Sequence, residues 1–224
     1  MRRSVYFISM DLQPTAPAIS PRRRGRPPKS ANGFSETREA LLRAGVEVLT
    51  EKGFSATGID QILSRVGVPK GSFYHFFPSK EAFGSALIER YAGYFARKLD
   101  RFLLDESQPP LQRLRNFVAD AADGMARFEF RRGCLVGNLG QETASLPNAL
   151  RVQLSAVFAD WEDRVARCLE AARANGAISA DADCQRLGNC FWIGWEGAVL
   201  RAKLEASSRP LEVFADFFFA GLPR

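Results

Sequence analysis

Histidine is nearly absent from this chain: His75 is the only one in 224 residues. Cysteine occurs four times, at Cys134, Cys168, Cys184 and Cys190, with no closely paired spacing. These scarcities argue against a zinc cluster, which needs several nitrogen or sulfur ligands together, and against a disulfide framework. They also leave a cysteine–histidine catalytic pair with a single histidine to draw on. The chain lacks a Gly-rich phosphate loop and any run of the roughly 18 apolar residues that spans a bilayer. Val5-Tyr6-Phe7-Ile8 after Met1-Arg2-Arg3 is too short for the apolar part of a secretory signal, and Met10 is a second candidate start. No strand pattern appears after residue 35. The expectation is therefore a cytoplasmic, all-α chain with no membrane segment, metal, cofactor or catalytic role.

What is abundant is apolar residues and, at one end, arginine. With 46% hydrophobic composition the chain can bury a full core. Its net charge of +6 is confined to residues 1–34, where seven basic residues face Asp11 alone, so the remaining body is neutral. A basic arm on a neutral body is a footprint of nucleic-acid binding, and a solvated tail is the plainer alternative. Residues 11–34 are rich in Pro, Ala, Ser and Arg without apolar period, which predicts a disordered arm. Within it Arg24-Gly25-Arg26-Pro27 is similar to an AT-hook core, where glycine lets the backbone sink into a narrow minor groove and Arg24 and Arg26 follow its negative potential.

Capping and periodicity then predict helices. Ser35 can cap a first helix with Leu41, Ala44, Gly45, Val48 and Leu49 on one face, ending at Gly53. Thr57 can cap a second, with Ile59, Ile62, Leu63 and Val66 at helical spacing. Gly67 stops it, and Pro69 opens a third over Lys70-Gly71-Ser72-Phe73-Tyr74-His75-Phe76-Phe77. Helix, short glycine-containing turn, helix is the helix-turn-helix pattern. The third helix mixes hydrogen-bonding side chains with apolar anchors, as a helix facing DNA must.

Residues 35–84 resemble the DNA-binding domain of TetR-type transcriptional repressors, on Gly53-Phe54, Thr57, Ile59, Ile62, Val68 through Phe77 and Ser79-Lys80-Glu81. The resemblance implies that Thr57 holds a phosphate, that Lys70, Gly71, Ser72 and Tyr74 face the major groove with His75 beside them, and that Lys80 clamps the backbone. It also implies a homodimer on a palindromic operator in double-stranded DNA. The expected domains are an arm (1–34), a three-helix reader (35–80) and a helical bundle for effector binding and dimerisation (81–224).

In that bundle, long helices are predicted from Ser79 towards Asp105, after Pro109-Pro110, from Pro147 to about Asn175, from Asp181 and from Pro210. The helices over Asp181–Glu205 and Pro210–Leu222 are expected to dimerise. Glu196 is the only charge in Cys190–Leu200, a costly place for an unpaired carboxylate. Either Gly194 and Gly197 admit a partner subunit that Glu196 reaches, or Trp192, Trp195 and Glu196 line an effector pocket. The glycine-rich segment Gly133–Glu142, with Arg201-Ala202-Lys203 and Pro210-Leu211-Glu212, resembles the sensor domain of acrylate- and electrophile-responsive TetR repressors. That resemblance implies a switch at Cys134 and Lys203, with Arg131, Arg132 or Lys203 able to lower the thiol pKa. A second scheme seats the carboxylate of an acrylate-like acid on Arg131, Arg132 or Lys203, its apolar end on Trp192 or Trp195, and Asn138 or Gln141 on the polar side. A reactive aldehyde is the other effector class. The alternatives are a thiol-based redox sensor using Cys134 and a DNA-packaging protein without effector.

Overall fold

The computed structural model describes residues 31–142 and 144–224, with residues 31–34 as backbone only. Arg24 and Arg26 lie outside the described residues. Among these there are nine helices and no strand.

The first helix, α1 (Ala31–Lys52), begins four residues before Ser35, which lies inside it rather than capping it. No proline lies between Pro28 and Pro69, so nothing in that stretch forces a start at Ser35. Gly53 ends α1 at φ +84, a backbone angle that glycine adopts without strain. Next comes α2 (Ile59–Val66), whose N-cap is Gly58 and not Thr57. Thr57 is buried, and its hydroxyl donates to the Gly53 carbonyl at 2.6 Å, closing the turn between α1 and α2. Gly67, at φ 67, terminates α2 by donating its N–H to the Leu63 carbonyl, and α3 (Lys70–Phe76) follows. Phe73 and Phe77 are buried against Phe83 at ring distances of 5.3 and 4.9 Å, which fixes α3 to the long helix α4 (Lys80–Leu103). Ser79 caps α4 by accepting from Ala82 N at 3.0 Å.

The body consists of α5 (Pro110–Ala126), the short α6 (Leu135–Gly140), α7 (Asn148–Ala174), α8 (Cys184–Glu205) and α9 (Arg209–Ala220). Proline at the start of α5 and α9 and just before α7 matches the expected starts, since a missing N–H costs nothing there. Helix α8 starts later than expected: Asp183 caps it, accepting from Arg186 N at 3.0 Å, while Asp181 takes the Ser179 hydroxyl in the preceding turn. The core lies where α7 crosses α4 and α8, around the fully buried Trp161 and Trp192 with ring centres 4.9 Å apart. Gly188 permits that crossing, because a Cβ on it would stand 2.7 Å from the Glu162 backbone oxygen of α7. No described helix is long and apolar enough to cross a membrane.

Candidate functional site

Two surfaces have site character. One is the outer face of α3, where Lys70, Gly71, Tyr74 and His75 are exposed and Ser72 is half-buried. Tyr74 is 52% exposed although aromatic, and nothing lies within 4 Å of where a Gly71 side chain would be, so another molecule can approach that backbone. Lys70 reaches Asp60 of α2 at 3.1 Å, an exposed pair that is worth little in water and easily exchanged for a phosphate or a base. Lys80, at the start of α4, holds its ammonium 4.5 Å from the ring centre of Phe54. Burial lowers its pKa and the nearby Glu142 raises it. Thr57, by contrast, has its hydroxyl committed to Gly53, so its side chain offers no phosphate contact in this conformation.

The second is a cavity of about 210 Å³ between α1, α4, α5 and α8, closed at one end by the start of α6. Its apolar walls are Tyr91, Phe95, Met125, Phe128 and Trp195, and its polar floor includes Cys134 and Glu196. Glu196 points inward, not toward a partner subunit: a Cβ on Gly137 would collide with its Oε2. Its other oxygen, Oε1, is fully buried and has no hydrogen-bond partner among the described residues. Burial pushes the Glu196 pKa up to about 7, opposed by a hydrogen bond with Cys134. The Cys134 thiol is likewise held well above its usual value, first by burial and then by Glu196. This corrects the expectation of an activated thiolate. The arginines and Lys203 do not offset the burial of the sulfur.

The basic groups near the cavity already have partners. Arg132, on its wall, binds Glu51 at 3.0 Å and Glu47 at 3.7 Å, and Lys98 meets Asp120 at 2.5 Å. Arg131 is exposed, turned to Glu129 at 3.7 Å, and lies outside the cavity. Gln141 is also exposed, at the C-terminus of α6, and Trp192 belongs to the core against Trp161. All three had been expected to touch an effector. Sequence neighbourhood misplaced them, because Arg131 lies on an irregular segment, Gln141 ends α6, and Trp192 and Trp195 of α8, three residues apart, pack against different neighbours.

Asn138 and Lys203 have a different task. The Asn138 amide donates to the Thr50 carbonyl at 2.7 Å and the Leu49 carbonyl at 3.4 Å, while Lys203 donates to Thr50 at 3.3 Å and to Asn138 Oδ1 at 3.2 Å. Together they satisfy carbonyls in the last turn of α1, where unpaired acceptors and the negative end of the helix dipole favour a cation. One turn further on, Glu142 accepts the N–H groups of Phe54 and Ser55, both at 2.6 Å, and Ser145 meets Ser55 at 2.7 Å. These bonds clamp the turn that leads into α2. Glu142 had no role in the sequence reading, since no local pattern marks a carboxylate that caps a turn 88 residues away. Thus α6 touches the cavity at Cys134 and leads at its other end to Glu142 at the base of the α2–α3 pair.

Known proteins carry the same two parts. Residues 41–87 match the family described as bacterial regulatory proteins, tetR family, and residues 110–218 match the tetracyclin repressor-like C-terminal domain. The chain is 52% identical over 210 residues to the transcriptional regulator AcuR of Cereibacter sphaeroides, spanning 93% of this chain and 95% of that one. It is 33% identical over 188 residues to the transcriptional repressor DhaR of a Mycobacterium species, spanning 83% and 91%. Among solved structures, a regulatory protein TetR from Rhodobacter sphaeroides superposes with a TM-score of 0.81 at 53% identity, covering 83% of this chain and 98% of that one. The reduced form of NemR from E. coli gives 0.73 at 28% identity, covering 82% and 95%. The helix-turn-helix, the helical body behind it and these relatives are those of regulators rather than enzymes, and the chain belongs to the TetR family of transcriptional regulators.

Proposed function

We propose that this protein is a ligand-responsive repressor that binds a palindromic operator as a homodimer and is released by a small unsaturated acid or carbonyl electrophile in the α6 cavity. One observation carries this reading: a single short helix starts at the cavity floor, with Cys134, and leads to the turn before α2, through Glu142. A ligand that displaces Cys134 or Glu196 bears directly on the element holding the DNA reader. It releases DNA only by binding the released geometry more tightly than the DNA-bound one.

On the DNA side, Lys70, Gly71, Ser72, Tyr74 and His75 are the groups available for base edges and close approach. Lys80 and the arm with Arg24 and Arg26 supply phosphate contacts. The relatives AcuR, DhaR and NemR, a regulator and two repressors, support the regulatory role. A peroxide-type redox switch at Cys134 is disfavoured, since oxidation follows thiolate character and exposure and this thiol has neither. The operator test is a fluorescence titration of the protein's own upstream DNA with a panel of unsaturated acids and aldehydes, using wild type and Cys134→Ser. Retained release by the acids in the serine variant makes covalent sensing unnecessary. Tight operator binding that no panel member relieves sinks the effector reading.

An exposed apolar face supports the dimer of this reading. Ile193, Leu200 and Leu204 on α8 and Val213 and Phe217 on α9 are exposed, Phe217 by 82%, around an open trough of about 400 Å³ containing Gly197. A second copy of the same face would bury this apolar stripe and set two α3 helices about one DNA turn, roughly 34 Å, apart. Phe217→Glu is expected to yield a monomer by analytical ultracentrifugation and to weaken operator binding by at least about 100-fold, since each half-site alone carries only part of the contacts. A tight dimer in that variant would place the interface elsewhere.

A further inference from the structure

Of the charged groups lining the cavity, Glu196 alone has no opposite charge paired with it among the described residues. Lys98 is bonded to Asp120, and Arg132 to Glu51 and Glu47. Lys203 also carries a charge that no carboxylate takes up, since it donates only to the neutral oxygens of Thr50 and Asn138. It stands off the cavity wall, however, and acts on Cys134 and Glu51 rather than on Glu196. Glu196 accepts the S–H of Cys134, and its Oε1 is buried with no hydrogen-bond partner. That oxygen is an acceptor waiting for a donor.

We propose that Glu196 receives the carboxylate of a small monocarboxylic acid as a hydrogen-bonded pair that holds a single proton, so that binding the acid brings one proton into the cavity whenever Glu196 starts ionised. This rests on the reading above that the cavity receives an acid, and adds how the acid is held and why its binding depends on pH. Two carboxylates in contact away from water cannot both stay ionised, so one of them takes a proton from solvent. The resulting O–H···O⁻ bond is of the strong, charge-assisted kind, and it supplies the donor that Oε1 lacks. The acid contributes one negative charge and the proton one positive, so the pair keeps the single negative charge that Glu196 carried before. A dicarboxylate would leave one charge too many. The walls of Tyr91, Phe95 and Trp195 accept the hydrocarbon end.

The groups facing this pair are Glu47 and Glu51 from α1, Tyr91 and Lys98 from α4, Asp120 from α5, Arg132 and Cys134 before α6, and Lys203 from α8. Burial, acting first, raises both Tyr91 and Cys134 well above their ordinary values, so both remain protonated at neutral pH. Glu196 is the group poised to change, with burial pushing it up to about 7. Below that value it already holds the proton and the acid takes up none. Above it each acid bound takes up one proton, and affinity falls about tenfold per pH unit.

The test is isothermal titration calorimetry of the full-length protein with acrylate, and with propionate as a saturated acid that cannot alkylate a thiol, in buffers of different ionisation enthalpy from pH 6 to 9. Wild type is expected to take up almost no proton at pH 6 and close to one per acid at pH 8.5, with a Kd about 100-fold weaker at pH 9 than at pH 6. In Glu196→Gln the side-chain amide donates to the acid at every pH, so binding is expected to persist with no uptake and a flat pH profile. His75, the only histidine, lies on α3 outside the cavity and is unchanged in that variant, so it cannot produce the difference. Thermal melts establish that the variant is folded, and the wild-type uptake decides the matter even if it is not. Acid binding without uptake at pH 8.5 overturns the proposal and assigns the carboxylate to a cation such as Lys203. Uptake retained in folded Glu196→Gln overturns it as well. Anisotropy of labelled operator separates the two readings. Uptake without operator release supports the pair and sinks the effector reading, release without uptake overturns the pair and leaves that reading in place, and neither binding nor release by either acid overturns both.

Discussion

In Glu142→Ala, effector and operator are expected to stop communicating. The wild-type carboxylate accepts two backbone N–H groups, of Phe54 and Ser55, and each bond to a charged group of this kind contributes about 1.5–3 kcal/mol. Those bonds join the end of the α6 segment to the turn before α2, and no other charged group makes both. Coupling free energies between regulatory sites are about 1–3 kcal/mol, a 5- to 150-fold change in affinity. Losing this clamp removes an amount of the same size. The ratio of operator Kd with and without effector is expected to fall below about 3 in the variant, as measured by anisotropy titration at fixed salt. Effector binding itself, followed by Trp195 fluorescence, should change little because Glu142 does not line the cavity. Gly53→Ala should reproduce the defect from the other side, since its Cβ would collide with the Glu142 carboxylate and its φ of +84 strains any side chain. A full ratio in both variants would move the coupling to α4.

The second large effect is on stability and depends on pH. Burial raises the pKa of Glu196 from the 4.5 of a free glutamate to about 7 in the folded protein, so between those two values the folded protein binds more protons than the unfolded chain. Stability therefore falls as pH rises from about 4.5 through about 7, and the cost is fully present above that. At roughly 1.4 kcal/mol per unit, the carboxylate costs the fold about 3 kcal/mol at pH 8. Glutamine keeps the shape and carries no charge. Glu196→Gln is thus expected to melt several degrees above wild type at pH 8, at about 2–4 °C per kcal/mol for a chain of this length, and alongside it at pH 5. Equal melting temperatures at both pH values would mean that the carboxylate is solvated or paired in solution. Such a cost retained in the core of a regulator is what a reactive or ligand-binding group requires.

Much of the DNA reader was legible from the chain because its signals are local. Gly67 and Pro69 mark the turn between α2 and α3, the phenylalanines mark which side of α3 is core, and the polar positions between them remain outside. The errors at Ser35 and Thr57 have a shared cause. Both are good capping residues, but Ser35 meets no break in the helix, and Thr57 is drawn inward to the Gly53 carbonyl. The cavity was half legible. Glu196 and Trp195 stood out as a charge and an indole in an apolar helix, and Cys134 as the thiol of a glycine-rich break. Tyr91 and Phe95 were read only as one face of a long helix, which is equally the signature of core.

By itself the sequence determined that the chain is helical, that its basic charge sits at one end, where the helix-turn-helix lies, and that Glu196 needs an explanation. Those properties follow from period, capping and composition, which act over a few residues. Only the tertiary structure decided that Arg131 and Gln141 face away, that Asn138 and Lys203 hold the end of α1, that the Cys134 thiol is protonated rather than activated, and that Glu142 grips the turn before α2. Burial and hydrogen-bond partners are set by which helices meet. Partners such as Glu142 and Phe54, or Lys203 and Thr50, are separated by 88 and 153 positions, a distance across which no local pattern carries information.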